Sequence, residues 1–168
     1  MKHTLHPVNA IRPTYGWVEL KSGILVQSTT DAAGFDIIYP YDQPFKLYPY
    51  RLHKVPVGVV TQMAENMVGI CKEKSGLALK GVELHGGVID HHYADEWNAI
   101  LRFVPPERTL FNWEEPIEPI VITKGMKVAQ VIFVDLPTLC LIGDGFRLEE
   151  VRREGGLGST GSHVKTQS

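Results

Sequence analysis

Short stretches of alternating apolar and polar residues recur along the chain, and glycine or proline interrupts them about every ten residues. Over residues 97–104, for example, the odd-numbered positions Trp97, Ala99, Leu101 and Phe103 alternate with Asn98, Ile100, Arg102 and Val104. Successive side chains of a β-strand point to opposite faces, so this segment is predicted to be a strand with one buried face. Stretches of this length, rich in Val, Ile, Tyr and Phe, are typical of an all-β sandwich or barrel.

The same pattern predicts the other strands and their limits. A hairpin is expected from residues 17–21 and 24–27, joined by a turn at Ser22 and Gly23. Further strands are predicted at 35–39, 52–60, 67–71, 120–123 and 128–134. No sustained helical period is present, although residues 75–81 could form a turn or two, and the prolines of 104–119 predict a long loop.

Length and composition predict one domain without a membrane segment. The 168 residues are enough for one domain with its own core, which we place at 1–154, followed by a flexible glycine-rich arm at 155–168. A net charge of −2 gives no basic surface for nucleic acid, and no apolar run reaches the ~20 residues of a membrane span. The two cysteines, Cys71 and Cys140, have no metal-binding spacing, so we expect free thiols in a reducing compartment, the cytoplasm.

Five short segments carry the polar and glycine residues that suggest chemistry: DAAGFDI at 31–37, KSGLA at 74–78, GVIDHHY at 87–93, KGMKVAQ at 124–130 and RREGGLGSTG at 152–161. Each has a plain structural interpretation: a turn entering a strand, a helix start capped by Ser75, a hairpin, a second turn and a linker. The functional interpretation is phosphate binding. A serine hydroxyl beside a glycine forms an anion-binding nest, and glycines, hydroxyls and an arginine can clamp phosphates.

Asp90 is the most informative single residue. It follows three small or apolar residues, so we expect its carboxylate to be partly desolvated, which suits a general base. The nearby His85, His91 and His92 fit no usual zinc spacing and have no cysteine beside them in the sequence.

In their order and spacing, the five segments over residues 30–161 resemble those of the trimeric dUTPases. The resemblance implies a distorted jelly-roll-like β-barrel and a homotrimer with active sites shared between subunits. Its implied reaction converts dUTP to dUMP and pyrophosphate with Mg²⁺. Because of the net charge and the lack of a long apolar run, we expect no nucleic-acid or membrane partner. Residues 1–29 match nothing in this resemblance and are expected to form an N-terminal hairpin or extension.

The resemblance also implies a role for each motif. Asp90 activates the attacking water, Tyr93 packs under the deoxyribose, and Asp36 holds Mg²⁺ through water. Residues implied to bind substrate are Lys74, Ser75, Gly76, Gly87, Val88, Ile89, Gln130, Arg152, Leu157, Gly158, Ser159 and Thr160. Four positions depart from the usual pattern: lysine replaces arginine at 74 and 127, Asp95 replaces a glycine, and Leu157 replaces an aromatic residue.

Three other functions remain as alternatives. A related dCTP deaminase would need a glutamate on the strand after Asp90, but the equivalent position is near Ile100 and carries no carboxylate. The four departures motivate a nucleotide-sensing or protein-binding module without activity. A hydrolase for a modified deoxyuridine triphosphate is not separated from a dUTPase by the sequence.

Overall fold

The computed structural model describes residues 16–106 and 116–137. In this part of the chain the elements are β1 (Val18–Ser22), β2 (Leu25–Val26), β3 (Phe35–Ile38), β4 (Phe45–Leu47), β5 (Leu52–Pro56), β6 (Val60–Met63), β7 (Met67–Glu73), α1 (Ser75–Ala78), β8 (Val82–His85), β9 (Val88–Asp90), β10 (Asn98–Phe103), β11 (Ile120–Ile122) and β12 (Lys127–Asp135). The predicted all-β class is confirmed.

The described strands form four sheets, with every pairing antiparallel. The largest has the order β2-β3-β12-β7-β9, a three-stranded sheet has the order β5-β10-β8, and two pairs consist of β1-β6 and β4-β11. No closed barrel forms among the described strands, so the predicted barrel is here a set of separate sheets packed around one core.

The core contains mainly aliphatic side chains from all the larger strands. Its largest residues below 2% exposure are Trp97, Leu47, Leu101, Ile122, Val55, Val57, Val59, Val128 and Val131. The predicted alternation of β10 is confirmed, since Trp97, Ala99, Leu101 and Phe103 are all buried and the intervening residues are partly exposed. Burial of these side chains, each contributing about 1.5–3 kcal/mol, holds the sheets together.

The predicted N-terminal hairpin is wrong. β1 pairs with β6 and β2 pairs with β3, so the two neighbouring strands belong to different sheets. Gly23 does make the turn, with φ of 85°, but a Cβ there would lie 2.6 Å from the Cα of Val59. The chain therefore turns against the segment that precedes β6, and this contact directs β1 and β2 apart.

Other element boundaries also differ from the predictions. The strand predicted at 52–60 is divided into β5 and β6, because Gly58 between them adopts φ of 71°. The short strands β4, β8 and β9 were not among the predicted strands. The predicted loop at 104–119 contains no strand in its described parts, and its residues 107–115 lie outside the description, as do Cys140 and the predicted arm. No helix among the described residues is long and apolar enough to cross a membrane.

Candidate functional site

A buried carboxylate lies at the centre of the candidate site. Asp36, on β3, is only 3% exposed, and its two oxygens bind two lysines: Lys74 Nζ lies 2.6 Å from Oδ1 and Lys127 Nζ lies 2.7 Å from Oδ2. Ser28 Oγ donates a third hydrogen bond to Oδ2, at 3.2 Å. Three of the five motifs therefore meet at one carboxylate, although they are separated by tens of residues in the sequence.

The sheet register explains how these residues meet. Asp36 is paired with Gln130 across β3 and β12, and Gln130 is paired with Lys72 across β12 and β7. Lys74 follows directly after the end of β7, and its side chain reaches Asp36 at the same end of the sheet. Gln130 Nε2 donates to the carbonyl oxygen of Glu73 at 3.1 Å, which fixes the amide beside this cluster.

The lysines also set the charge state of Asp36. Burial alone would raise the pKa of this carboxyl group, but the hydrogen bonds from Lys127, Lys74 and Ser28, with the charge of Lys74, outweigh this effect and hold the pKa below its usual value. The lysine side chains are 28% (Lys74) and 44% (Lys127) exposed, so both retain access to solvent. The result is an ionised carboxylate that holds two partly exposed ammonium groups close together.

The segment after β7 forms the short helix α1, as one of the sequence interpretations predicted. The N-cap position is taken by Lys74 and not by Ser75, and no side chain caps the helix. Ser75 and Gly76 are exposed, and a Cβ on Gly76 would meet nothing within 4 Å. This open surface lies next to Lys74, so Ser75 and Gly76 are accessible to a ligand held by the lysines.

Asp90 and Tyr93 lie on a different part of the molecule. Asp90 ends β9, and the backbone N–H of Tyr93 donates to the Asp90 carbonyl oxygen at 3.0 Å, closing a tight turn through His91 and His92. The Asp90 side chain is 49% exposed within one chain, so the predicted desolvation is not present there. His92 Nε2 lies 4.0 Å from Asp90 Oδ2.

The strand β9 places Asp90 at the edge of the five-stranded sheet. Val88 and Ile89 pair with Ile70 and Gly69 of β7, and Gly87 precedes them with φ of 100°. The Gly87 carbonyl accepts a hydrogen bond from the Cys71 N–H at 2.7 Å, and a Cβ on Gly87 would lie 2.9 Å from the Cys71 carbonyl oxygen. A glycine is therefore required at this position for β9 to pair with β7.

Tyr93 is partly buried and packs against the core, with its hydroxyl 3.3 Å from the carbonyl oxygen of Glu96. Burial raises the pKa of the Tyr93 phenol, and the charge of Asp95 raises it further. A hydrogen bond with Asn98 lowers the pKa, whereas the charge of Glu96 again raises it, so the net pKa is above that of a free tyrosine. The ring is thus a neutral, anchored surface at neutral pH.

One chain does not bring all the predicted residues together. Asp90 pairs with Val68 near the start of β7, whereas Lys74 follows its end. Six residue steps of about 3.3 Å separate these points, or roughly 20 Å along the strand. Arg152, Leu157, Gly158, Ser159 and Thr160 lie outside the described residues. Among the described residues, no group of three His, Cys, Asp or Glu side chains could hold a metal ion.

Two residues of the cluster were not among the predicted binding residues. Lys127 was noted only as a departure from the usual arginine, although a basic residue in the fourth motif was a usable signal. Ser28 had no signal in the sequence, because its role depends on the chain folding back toward Asp36.

The fold and the cluster define an all-β protein in which two partly exposed ammonium groups lie side by side at one end of the five-stranded sheet. A family model for dUTPase matches residues 21–161, which begins earlier than the resemblance predicted from the motifs. The chain belongs to the dUTPase family.

Named relatives and solved structures agree with this assignment. The chain is 29% identical to a deoxyuridine 5′-triphosphate nucleotidohydrolase of Mesorhizobium japonicum, over 96% of this chain and 99% of the relative. A protein of the same name from Rickettsia felis is 30% identical, over 83% and 90%. The dUTPase of Staphylococcus bacteriophage 80alpha, solved with dUPNHPP, has a TM-score of 0.63 and 22% identity, over 89% of this chain and 100% of that one. The predicted jelly-roll-like class is confirmed by this similarity of fold.

Proposed function

We propose that the protein is a dUTP diphosphatase, which hydrolyses dUTP to dUMP and pyrophosphate. The observation that carries the proposal is the cluster in which Asp36 holds Lys74 and Lys127 side by side, with Gln130 beside them. Two adjacent ammonium groups with solvent access suit a polyphosphate, since positive charge stabilises the negative charge that develops on the phosphate oxygens. Membership of the dUTPase family and similarity to a deoxyuridine 5′-triphosphate nucleotidohydrolase support the choice of dUTP.

In the proposed reaction, a water oxygen attacks the α-phosphorus while the bond to the bridging oxygen of the β-phosphate breaks and pyrophosphate leaves. Asp90 accepts the proton of the water. Tyr93 packs under the deoxyribose and leaves no space for a 2′-hydroxyl. Gly87, Val88 and Ile89, which lead directly to Asp90, bind the nucleotide. Lys74, Ser75 and Gly76 bind phosphates, and Gln130 orients the water near the α-phosphate.

In this proposal, a complete active site contains residues from more than one copy of the chain. The roughly 20 Å along β7 between the Asp90 region and the Lys74 cluster is too long for one nucleotide's α-phosphate to contact both within a single chain. A homotrimer in which Asp90 and Tyr93 of one subunit approach the cluster of its neighbour would solve this. The same assembly would cover Asp90 and supply the desolvation that one chain lacks. Arg152, Leu157, Gly158, Ser159 and Thr160 would close over the phosphates and the base.

Magnesium fits this site as an ion carried by the triphosphate. A cation with many water ligands needs few from the protein, and the described residues contain no three-ligand cluster. Both Asp36 oxygens are engaged by lysines, so this carboxylate would contact such an ion only through water. Bound Mg²⁺ would neutralise phosphate charge. The solved D95N mutant of the dUTPase from S. aureus phage phi11 coordinates a structural Mg(II) ion. A reducing compartment, the cytoplasm, fits the free thiol of Cys71.

Product analysis tests the activity directly. The protein is incubated with Mg²⁺ and, separately, dUTP, dCTP, dTTP or UTP, and the products are separated by ion-exchange chromatography. Selective formation of dUMP and pyrophosphate from dUTP is expected. Binding of dUTP without turnover would instead indicate a sensing module, and preference for another base would implicate Leu157.

The Asp90→Asn variant tests the general base. We expect turnover to fall about 10²- to 10⁴-fold, the usual contribution of a positioned base, while a non-hydrolysable dUTP analogue still binds. Asp42→Asn is the matched control, because the Asp42 side chain is 85% exposed and pairs only with Lys124 among the described contacts. Unchanged turnover in Asp90→Asn would remove the assignment.

A further inference from the structure

Glu96 binds two separate segments of the chain through one carboxylate oxygen. Its Oε1 accepts a hydrogen bond from the Tyr41 hydroxyl at 2.5 Å and another from the Gly58 N–H at 2.6 Å. Hydrogen bonds to an ionised group at these lengths are the strong kind, worth about twice a neutral one. Glu96 is thus fixed by its side chain even though it is partly exposed.

The backbone of the same residue holds the tyrosine proposed to contact the sugar. The carbonyl oxygen of Glu96 accepts the Tyr93 hydroxyl at 3.3 Å and the Asn98 side-chain amide at 2.9 Å. Because the Tyr93 N–H also binds the Asp90 carbonyl, the tyrosine is held at its backbone and at the tip of its ring. The position of the Tyr93 hydroxyl therefore depends on where the backbone carbonyl group of Glu96 lies.

Gly58, whose N–H binds the Glu96 carboxylate, belongs to a rigid part of the core. Trp97, only 1% exposed, forms backbone hydrogen bonds with Val57 and Val59 on either side of Gly58. The Gly58 carbonyl oxygen accepts a bond from the Ser22 hydroxyl at 2.7 Å, and a Cβ on Gly58 would lie 2.7 Å from Pro40. Since both polar groups of Gly58 are bonded and no side chain fits, its N–H is a fixed anchor for the Glu96 carboxylate.

These hydrogen bonds connect Gly58 in the core, through Glu96, to the ring of Tyr93. We propose that Glu96 is a positioning residue for Tyr93, and that it thereby determines how strongly the protein selects 2′-deoxyribose over ribose. The inference rests on the proposed function, in which Tyr93 excludes a 2′-hydroxyl. A hydroxyl group is excluded only if the ring is held to within a fraction of an ångström. Loosening Glu96 therefore admits the ribonucleotide more than it slows the deoxyribonucleotide.

The test compares Glu96→Ala with Glu96→Gln. Alanine removes the acceptor for both Tyr41 and Gly58, whereas the carbonyl oxygen of glutamine can still accept from both. Glu65→Ala is the matched control, since Glu65 is exposed in the turn after β6. We measure kcat/KM for dUTP and for UTP in each protein, together with Tm.

We expect the dUTP-to-UTP ratio of kcat/KM to fall at least 10-fold in Glu96→Ala, through a gain in UTP turnover. Glu96→Gln and Glu65→Ala should keep the ratio within about threefold. A Glu96→Ala protein that loses both activities equally, with an unchanged ratio, would show that Glu96 only stabilises the fold and would overturn the proposal.

A second measurement does not depend on turnover. The protein is labelled with 3-fluorotyrosine and the ¹⁹F resonance of residue 93 is assigned with the Tyr93→Phe variant. This resonance should shift or broaden in Glu96→Ala and keep its position in Glu96→Gln and Glu65→Ala. An unshifted signal in Glu96→Ala would refute the positioning role, whereas absent dUTP turnover in the unaltered protein would refute only the proposed function.

Discussion

Lys127 places its ammonium nitrogen 2.7 Å from the Oδ2 atom of Asp36, a carboxylate that is only 3% exposed. Lys74 binds the other oxygen, so Asp36 orders two cations, one from the start of β12 and one from just after the end of β7, which lie at the same end of the sheet. Neither lysine is buried, and this distinguishes the arrangement from a fully buried ion pair. The carboxylate is the structural partner, and the lysines keep the access to solvent that a phosphate ligand requires.

Replacing Asp36 with Asn should lower stability in a pH-dependent way. Removing the charge leaves two lysines without their partner, and we expect a loss of about 2 kcal/mol, below the ~3–5 kcal/mol of a fully buried pair because the lysines reach water. The folded pKa of Asp36 is lowered, so its contribution is present above the unfolded value of about 3.9 and is lost as pH falls through the folded value.

The measurement is the free energy of unfolding in urea from pH 2.5 to 6.5, for both proteins. The difference between the unaltered protein and Asp36→Asn should be constant above about pH 5 and shrink at lower pH. A difference that does not depend on pH would mean that the ion pairs contribute nothing to the folded state.

Lys127→Met should weaken substrate binding more than turnover. The side chain is partly exposed and its ammonium group lies against Asp36, so its loss removes one cation from the proposed phosphate site. We expect KM for dUTP to rise about 10-fold, equivalent to about 1.4 kcal/mol. Lys124→Met is the control, because Lys124 is a nearby lysine paired with exposed Asp42 instead of Asp36. Equal KM values in the two variants would argue against Lys127 as a phosphate ligand.

Gly86 and Gly87, which precede β9, allow a controlled comparison of two alanine substitutions. Both have positive φ, 71° and 100°, but a Cβ on Gly87 would lie 2.9 Å from the Cys71 carbonyl oxygen, whereas one on Gly86 meets nothing within 4 Å. Gly86→Ala should cost about 1–2 kcal/mol from backbone strain alone, and Gly87→Ala more, with loss of turnover because β9 carries Asp90. Thermal unfolding and turnover of both variants check this; similar losses in both would mean that β9 tolerates the added methyl group.

Cys71 should react slowly with thiol reagents in the folded protein. Burial raises the pKa of its thiol to about 12, so at pH 8 the reactive thiolate is roughly a thousandfold scarcer than in an unfolded chain. A Cys140→Ser variant isolates the signal of Cys71. The protein is labelled with a disulfide reagent, and the absorbance of the released product is followed with and without denaturant. The two rates give the ratio of Cys71 reactivity in the unfolded and folded chains. Rapid labelling of the folded protein would show that this region opens often.

Sequence patterns correctly predicted elements that depend only on neighbouring residues, such as an alternating strand or a glycine turn. The strand β10 was predicted from its alternation, which is confirmed by the burial of Trp97, Ala99, Leu101 and Phe103. Gly23 was correctly placed in a turn, yet the partners of the flanking strands were wrong, because strand pairing depends on contacts with Val59 and β6 that are distant in the sequence. The short strands β4, β8 and β9 are too brief to show a period.

What the sequence alone determined was the all-β class, the family and the presence of Asp36, Lys74, Asp90 and Tyr93 in separate motifs. Tertiary structure decided that Asp36 binds both lysines, that Ser28 joins them, and that Asp90 lies far along β7 from this cluster. It also decided that Glu96 links Tyr93 to Gly58. Local periodicity records which face of a strand is buried, whereas register and ion pairing depend on groups brought together only when the whole sheet forms.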